Sequence, residues 1–232
     1  MRLDKYIAST TDFSRSQVKK LVKSGDITVN DQIISDSALS VDIDSDLVKL
    51  YGNSIKPPKN RYFMLYKPEG YICSTQDSEN PIVLDLLDEP KLEKLHIAGR
   101  LDKDTTGLVL ITDDGQWNHR ITSPKHDCFK RYRVNVEMPL TLDVVESFKN
   151  GIVLNNEKRP TLPAELIIQG NYQCEVLIQE GKYHQVKRMF AATGNRVKQL
   201  HRSQIGPLSL DPDLQPGDYR LLQPEEIEHF AK

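Results

Sequence analysis

With 232 residues, 38% of them hydrophobic and 28% charged, the chain can bury a core in one large domain or two modest ones without covalent staples. Three scattered cysteines (Cys73, Cys128, Cys174) and no Cys-x-x-Cys pair argue against a disulfide frame or a zinc site, and for a reducing, cytoplasmic setting. A net charge of −2 gives no hint of nucleic acid, no apolar run approaches the roughly 20 residues of a membrane span, and the N-terminus is charged from Arg2 with no signal core.

Leu3, Tyr6 and Ile7 have helical spacing. Ser14-Arg15-Ser16-Gln17 fits a capping box, Val18, Leu21 and Val22 form the apolar stripe behind it, and Gly25 is a stop. Ile27–Val29, an Asn30-Asp31 turn, Ile33-Ile34 and Leu47–Leu50 follow as short strands. Charge divides this stretch. Residues 1–25 carry a net +4, with Arg15, Lys19, Lys20 and Lys23 on the open arc of the second helix, whereas residues 26–50 carry −5. A basic helical face on an acidic module can contact phosphates, though a solvated helix face explains the charge equally well. The pattern Arg2-Leu3-Asp4-Lys5-Tyr6-Ile7-Ala8, then Ser14 to Val22, then Gly25 to Asp31, resembles the S4 RNA-binding domain. The resemblance implies that the two helices and the following turn contact structured RNA.

Tyr51–Asn60 reads as a linker, because Pro57-Pro58 forbids helix and donates no ladder hydrogen bonds. The expected domains are therefore 1–56, the RNA-binding module with its linker, and 57–232. Beyond it, Tyr62–Tyr66 is a strand ended by the turn Lys67-Pro68-Glu69-Gly70, and Ile82–Leu87 a short helix. From His96 to Gly115, a polar loop with Arg100, Asp102 and Asp104 feeds the apolar run Leu108–Ile111, which reads as a buried strand. Charges beside a buried strand are costly unless paired or used, so chemistry is sought here. Further on, helices are expected at Gln116–Ile121, Leu142–Asn150 and His184–Ala192. Strands are expected at Arg131–Val136, and at Ala164–Ile168 and Gln173–Ile178 joined by a Gly170-Asn171 turn. This irregular alternation predicts an α+β domain with a mainly antiparallel sheet and flanking helices.

Asp102-x-Asp104-x-Thr106-Gly107, with Asp113 twelfth, imitates a calcium loop. Asp113 stands in place of the usual bidentate Glu, and Gly99 breaks the helix that should precede the loop, so the spacing is read as coincidence and no metal is expected. Basic density reappears at 119–133 (net +4) and 180–203 (net +5), interleaved with His119, His126, Tyr132, Tyr183, His184 and His201. The segment 204–232 compensates with −4. Cations with planar rings suit RNA carrying unpaired bases. There is no Gly-x-Ser-x-Gly, no phosphate-binding glycine loop and no His-Glu-x-x-His.

Gly99-Arg100-Leu101-Asp102-x-x-Thr105-Thr106-Gly107-Leu108-Val109-Leu110 resembles the catalytic-aspartate motif of pseudouridine synthases. Lys67-Pro68-x-Gly70, Lys130-Arg131-Tyr132-Arg133-Val134, Glu180–Met189, and Leu200-His201-Arg202 with Ile205-Gly206 resemble the family's other segments in the right order. With the S4-like module, the resemblance covers almost the whole chain and points to the RsuA branch. It implies a pseudouridine synthase fold and isomerisation of a uridine in ribosomal RNA with base flipping and no cofactor. Among the branch, the compact length suggests 16S rRNA or a small-subunit assembly intermediate as the partner, acted on by a monomer. It also implies Asp102 as the catalytic carboxylate, acting as nucleophile or as base on a ribose proton, Tyr132 against the uracil, and Lys187 (or its neighbour Arg188) as the cation holding Asp102 ionised. Arg100, Lys67 (structural or phosphate-contacting), Lys130, Arg131, His184, Arg188 and Arg202 join Arg15, Lys19, Lys20 and Lys23 as candidate RNA contacts. The alternatives are a synthase of large-subunit rRNA and a non-catalytic RNA-binding or ribosome-assembly factor.

Overall fold

The computed structural model describes the chain except residues 44, 57–58, 124–127 and 231–232. The chain divides into two compact units, Met1–Lys59 and Asn60–Lys232. Pro57-Pro58, and Lys125 and His126 of the first basic cluster, lie outside the described residues.

In the first unit, α1 (Leu3–Thr10) and α2 (Arg15–Ser24) pack on a four-stranded antiparallel sheet. Its strands are β1 (Ile27–Val29), β2 (Gln32–Ile33), β3 (Val48–Leu50) and β4 (Asn53–Ser54), in the order β2-β1-β3-β4. The capping box forms as its residues dictate: Gln17 N donates to Ser14 Oγ, and Ser14 N to Gln17 Oε1 at 2.8 Å. Gly25 ends α2 in the left-handed region. Asn30 and Asp31 both take positive φ, as a two-residue turn between right-twisting strands requires. Leu3, Tyr6, Ile7, Val18 and Val22 meet Ile27, Val48 and Leu50 in one core. Leu21, placed on the stripe by its spacing, is only half-buried. The expected linker does not begin at Tyr51. Tyr51-Gly52 is a two-residue turn, and β4 returns against β3. The sequence hides this because tyrosine seldom adopts positive φ.

Arg15 is not a free basic residue. With Arg2 it clamps Asp4, which is buried, through bonds of 2.8–3.1 Å. The hydrogen bond from Arg2, with Arg15 adding to it, holds the Asp4 carboxyl well below the ordinary range despite burial. A carboxylate depressed in the folded state stabilises above the unfolded pKa, and that stability is lost as pH falls below about 4. Asp4→Ala is expected to lower the melting temperature of this unit by about 5 °C at pH 7 and to flatten its acid dependence, which a melt at pH 7 and pH 3.5 checks. Lys19, Lys20 and Lys23 are exposed on α2 and make no ion pair among the described residues.

The second unit is built on a nine-stranded sheet of β5 (Tyr62–Lys67), β6 (His96–Ala98), β7 (Thr106–Thr112), β8 (Lys130–Val136), β9 (Glu165–Gly170), β10 (Gln173–Ile178), β11 (Val197–Ile205), β12 (Leu208–Ser209) and β13 (Tyr219–Leu221). The order is β13-β5-β7-β11-β8-β10-β9, with β6 beside β7 and β12 beside β11; β7 and β11 are parallel and the other pairs antiparallel. Around it lie α3 (Gly115–Thr122), α4 (Leu142–Asn150), α5 (Gln185–Ala192) and α6 (Pro224–Glu228). The continuous apolar run has a simple cause: β7 is covered on both faces. Val109 and Ile111 join the core of Phe63, Leu65, Val134 and Phe190, while Leu108 and Leu110 join that of Met64, Trp117 and Ile205. Where β7 meets β11, Gly107 has φ +110°, and a Cβ there would fall 2.2 Å from the Arg202 carbonyl oxygen. The β9–β10 turn is Asn171-Tyr172 rather than Gly170-Asn171, since Gly170 is still paired in the strand.

Candidate active site

The segment from Gly99 to Thr105 joins β6 to β7 and is braced from beneath. Lys67, the last residue of β5, is fully buried, and its ammonium donates to the carbonyls of Pro68 (2.9 Å), Lys103 (3.3 Å) and Thr105 (2.7 Å). Arg202 of β11, also buried, donates to the carbonyls of Leu108 (2.8 Å) and Gly99 (2.7 Å). The Leu101 amide donates to Cys73 Sγ. These cations give buried hydrogen-bond donors to backbone oxygens of the loop and of β7, Lys103 O accepting from the Gly70 amide as well.

That geometry removes three candidate RNA contacts and, for Lys67, leaves the structural one of its two readings. Lys67 and Arg202 are sealed under the loop, and Lys130, 8% exposed, spends its ammonium on the Cys128 carbonyl. Burial pushes the Lys67 and Lys130 ammonium groups down from the ordinary lysine range. Lys67→Met takes the ammonium from three carbonyls, of which Lys103 O keeps the Gly70 amide at 2.8 Å, so a loss of about 2–3 kcal/mol in stability is expected, together with slower turnover by the protein that remains folded. Thermal melts and single-turnover rates at 25 °C check this.

Above the brace, Asp102 is about a quarter exposed and held at both oxygens. Lys187 Nζ lies 2.8 Å from Oδ2, and His184 Nε2 lies 3.3 Å from Oδ1. The same ammonium reaches Asp104 Oδ1 at 2.5 Å. Lys187 thus occupies the space between the two carboxylates that the calcium-like spacing would give to an ion. Asp104 is therefore a partner in the site. Burial works against both charges. Even so, the hydrogen bonds and charges of the two carboxylates raise the Lys187 ammonium, and Lys187 lowers Asp104 below the usual carboxylate range.

Helix α5 delivers Lys187 because its apolar residues Val186, Met189 and Phe190 are buried in the sheet core, leaving Lys187 and Arg188 at the rim. His184 precedes α5 in the left-handed region (φ 47°, ψ 35°) and does not belong to the helix. Arg188, the alternative partner for Asp102, turns elsewhere: to Asn155 O (2.5 Å), Tyr183 O (3.1 Å) and Glu157 Oε1 (3.4 Å).

Tyr132 alternates inward on β8 and is 7% exposed, in the same apolar cluster as Leu101 and Val186, the sequence neighbours of Asp102 and Lys187. Its hydroxyl makes no hydrogen bond among the described residues. Only Thr105 Oγ1 and Asn118 Oδ1 are both buried and unpartnered there, so the phenol oxygen retains exposure. Arg131 points to the opposite face, bonded to Glu175 (2.8 Å) and Gln204 (3.2 Å). It lines a recess of about 480 Å³ with Tyr66, Arg133 and His201. Arg100 is exposed and makes no ion pair among the described residues. An ionised carboxylate gripped by an ammonium, in a rim near an apolar aromatic wall, can add to an electrophilic carbon or remove an activated proton. The Asp104 and His184 contacts were missed in the sequence, where the only signal was their separation from Asp102 and Lys187 by a turn's length.

Residues 61–192 match the RNA pseudouridylate synthase family model, and residues 1–48 match the S4 domain. The ribosomal small subunit pseudouridine synthase A of Vibrio vulnificus is 52% identical over 234 residues, covering 100% of both chains. That of Escherichia coli K12 is 51% identical over 228 residues, covering 98% of each. A solved pseudouridylate synthase superposes with a TM-score of 0.72 at 44% identity over 99% of both chains.

Proposed function

The chain belongs to the RNA pseudouridylate synthase family, with an S4 domain ahead of its catalytic unit, and we propose that it converts one uridine of small-subunit (16S) rRNA to pseudouridine through Asp102. The target is supported by full-length relatives named for the small ribosomal subunit. The observation carrying the chemistry is the grip of Lys187 on Asp102 at 2.8 Å.

The reaction breaks the uridine C1′–N1 bond, turns the base and rejoins it through C5, so substrate and product have the same atoms and no electron or group carrier is consumed. Asp102 attacks the sugar or takes a ribose proton, and either role uses the carboxylate, with which the Lys187 ammonium is paired at 2.8 Å. Tyr132 lies against the uracil and assists loss of the C5 proton. Extruding the nucleotide costs a few kcal/mol in lost stacking, and the exposed Arg100 is placed to offset part of it against the backbone. Lys19, Lys20 and Lys23 dock the flanking RNA. Three free buried thiols and an rRNA substrate agree with action in the reducing cytoplasm, on free RNA or an assembling particle, and the proposed acting form is a monomer. Among the described residues no helix is long and apolar enough to cross a membrane.

Tritium release from 5-³H-uridine transcripts tests the target. Turnover is expected on small-subunit RNA, turnover on large-subunit RNA alone would redirect the assignment, and tight binding without turnover would favour an assembly factor. Replacing Lys19, Lys20 and Lys23 with Gln is expected to reduce the salt slope of RNA binding by about 2–3. An unchanged slope removes this helix face from docking.

A further inference from the structure

We infer that Tyr183 is a stacking platform for the RNA base adjacent to the flipped uridine. The inference rests on the RNA synthase reading above. Tyr183 is 74% exposed, among the most open large apolar side chains described, yet it sits on an anchored backbone. Arg188 donates to its carbonyl at 3.1 Å and is itself tied to Asn155 O and Glu157. On the other side, Lys182 bonds Glu157 through Nζ at 3.1 Å and Gln185 through its amide at 2.8 Å.

The ring is also oriented. Tyr183 and His184 stack with centroids 3.8 Å apart and planes 21° from parallel. His184 holds the left-handed backbone in doing so, a conformation costly for a residue with a Cβ. The same imidazole reaches Asp102 Oδ1. One face of the phenol is therefore covered by a ring that touches Asp102, and the phenol stands at the mouth of the site.

Flipping a uridine leaves its neighbours without a stacking partner, and a rigid aromatic face accepts any base because every base has a π-face. Cations close by are already committed: Lys187 to Asp102 and Asp104, Lys182 and Arg188 to Glu157. What this corner offers to an incoming strand is stacking, not a bare phosphate cradle. Because His184 is the ring that touches Asp102 and Tyr183 stacks on it, the platform lies one stacking step from Asp102, which is where a base next to the target would lie.

The test uses the full-length protein and a small-subunit rRNA transcript in which the wild type forms pseudouridine. 2-Aminopurine is placed in turn on each side of the target uridine. In the Asp102→Asn background, binding is expected to quench one of the two positions several-fold with Tyr183 or Tyr183→Phe, and not with Tyr183→Leu, which keeps an apolar side chain over His184 but no π-face. With Asp102 intact, Tyr183→Leu is expected to raise KM about 10-fold and change kcat less than about threefold. Equal quenching and equal KM for the Leu variant would overturn the platform, as would loss of quenching in the Phe variant. A wild type that forms no pseudouridine in any ribosomal transcript overturns the parent reading instead, and does so before any variant is made.

Discussion

Asp102→Asn is expected to fold with unchanged stability, within about 1 kcal/mol, and to slow pseudouridine formation by roughly 10⁴-fold or more. The amide is isosteric and its oxygen can still accept the Lys187 hydrogen bond, and the side chain is already a quarter exposed, so packing has little to lose. Chemistry loses everything that depends on a full negative charge. An amide neither adds to the sugar nor takes a ribose proton at neutral pH, so the prediction holds for both roles. RNA affinity should change little, because Asp102 contributes no cation to phosphate binding. Single-turnover tritium release alongside a filter-binding isotherm separates the two effects, and a variant retaining a tenth of the wild-type rate would remove Asp102 from the reaction.

Lys187→Met is expected to lower the rate by roughly 100-fold at pH 7. Without the ammonium, the Asp102 and Asp104 carboxylates share one rim with no cation between them. Two carboxylates then face each other across the rim, and Asp102 Oδ2 loses the hydrogen bond that fixes it. Lys187→Arg keeps a cation and should recover much of the loss, although its planar fork fits a two-carboxylate site differently. The pairing also has a stability signature. Asp104 is depressed in the folded state, so its contribution is present above the ordinary carboxylate range and fades as pH falls through it. The Met variant should lack that acid-sensitive increment. A Lys187→Met variant that keeps the wild-type single-turnover rate would remove the ammonium from the reaction.

Local rules carried the sequence a long way where each element announces itself. Ser14 and Gln17 fold into the capping box they spell, Asn30-Asp31 makes its turn, and Leu108–Ile111 is a strand buried on both faces. β11 was not legible as a strand, though it lies between β7 and β8 near the middle of the sheet. Its sequence Val-Lys-Gln-Leu-His-Arg-Ser-Gln-Ile has three apolar residues, and its buried face is completed by Arg202, whose guanidinium substitutes hydrogen bonds for hydrophobicity. The same exchange misleads for Lys67 and Lys130. In sequence, a cation among turn residues looks like a phosphate ligand, whereas in the fold it neutralises stranded carbonyls. Lys187 could be placed beside Asp102 only by resemblance, because 85 residues separate them. The Asp104 contact follows from that placement and could not be read before it.

Asp102-dependent pseudouridine formation in small-subunit rRNA is tested most directly by carbodiimide mapping of small- and large-subunit transcripts after incubation with wild-type or Asp102→Asn protein. One new reverse-transcription stop is expected, in small-subunit RNA, made by the wild type and absent with the variant. A stop that persists with Asp102→Asn, or one confined to large-subunit RNA, would contradict it.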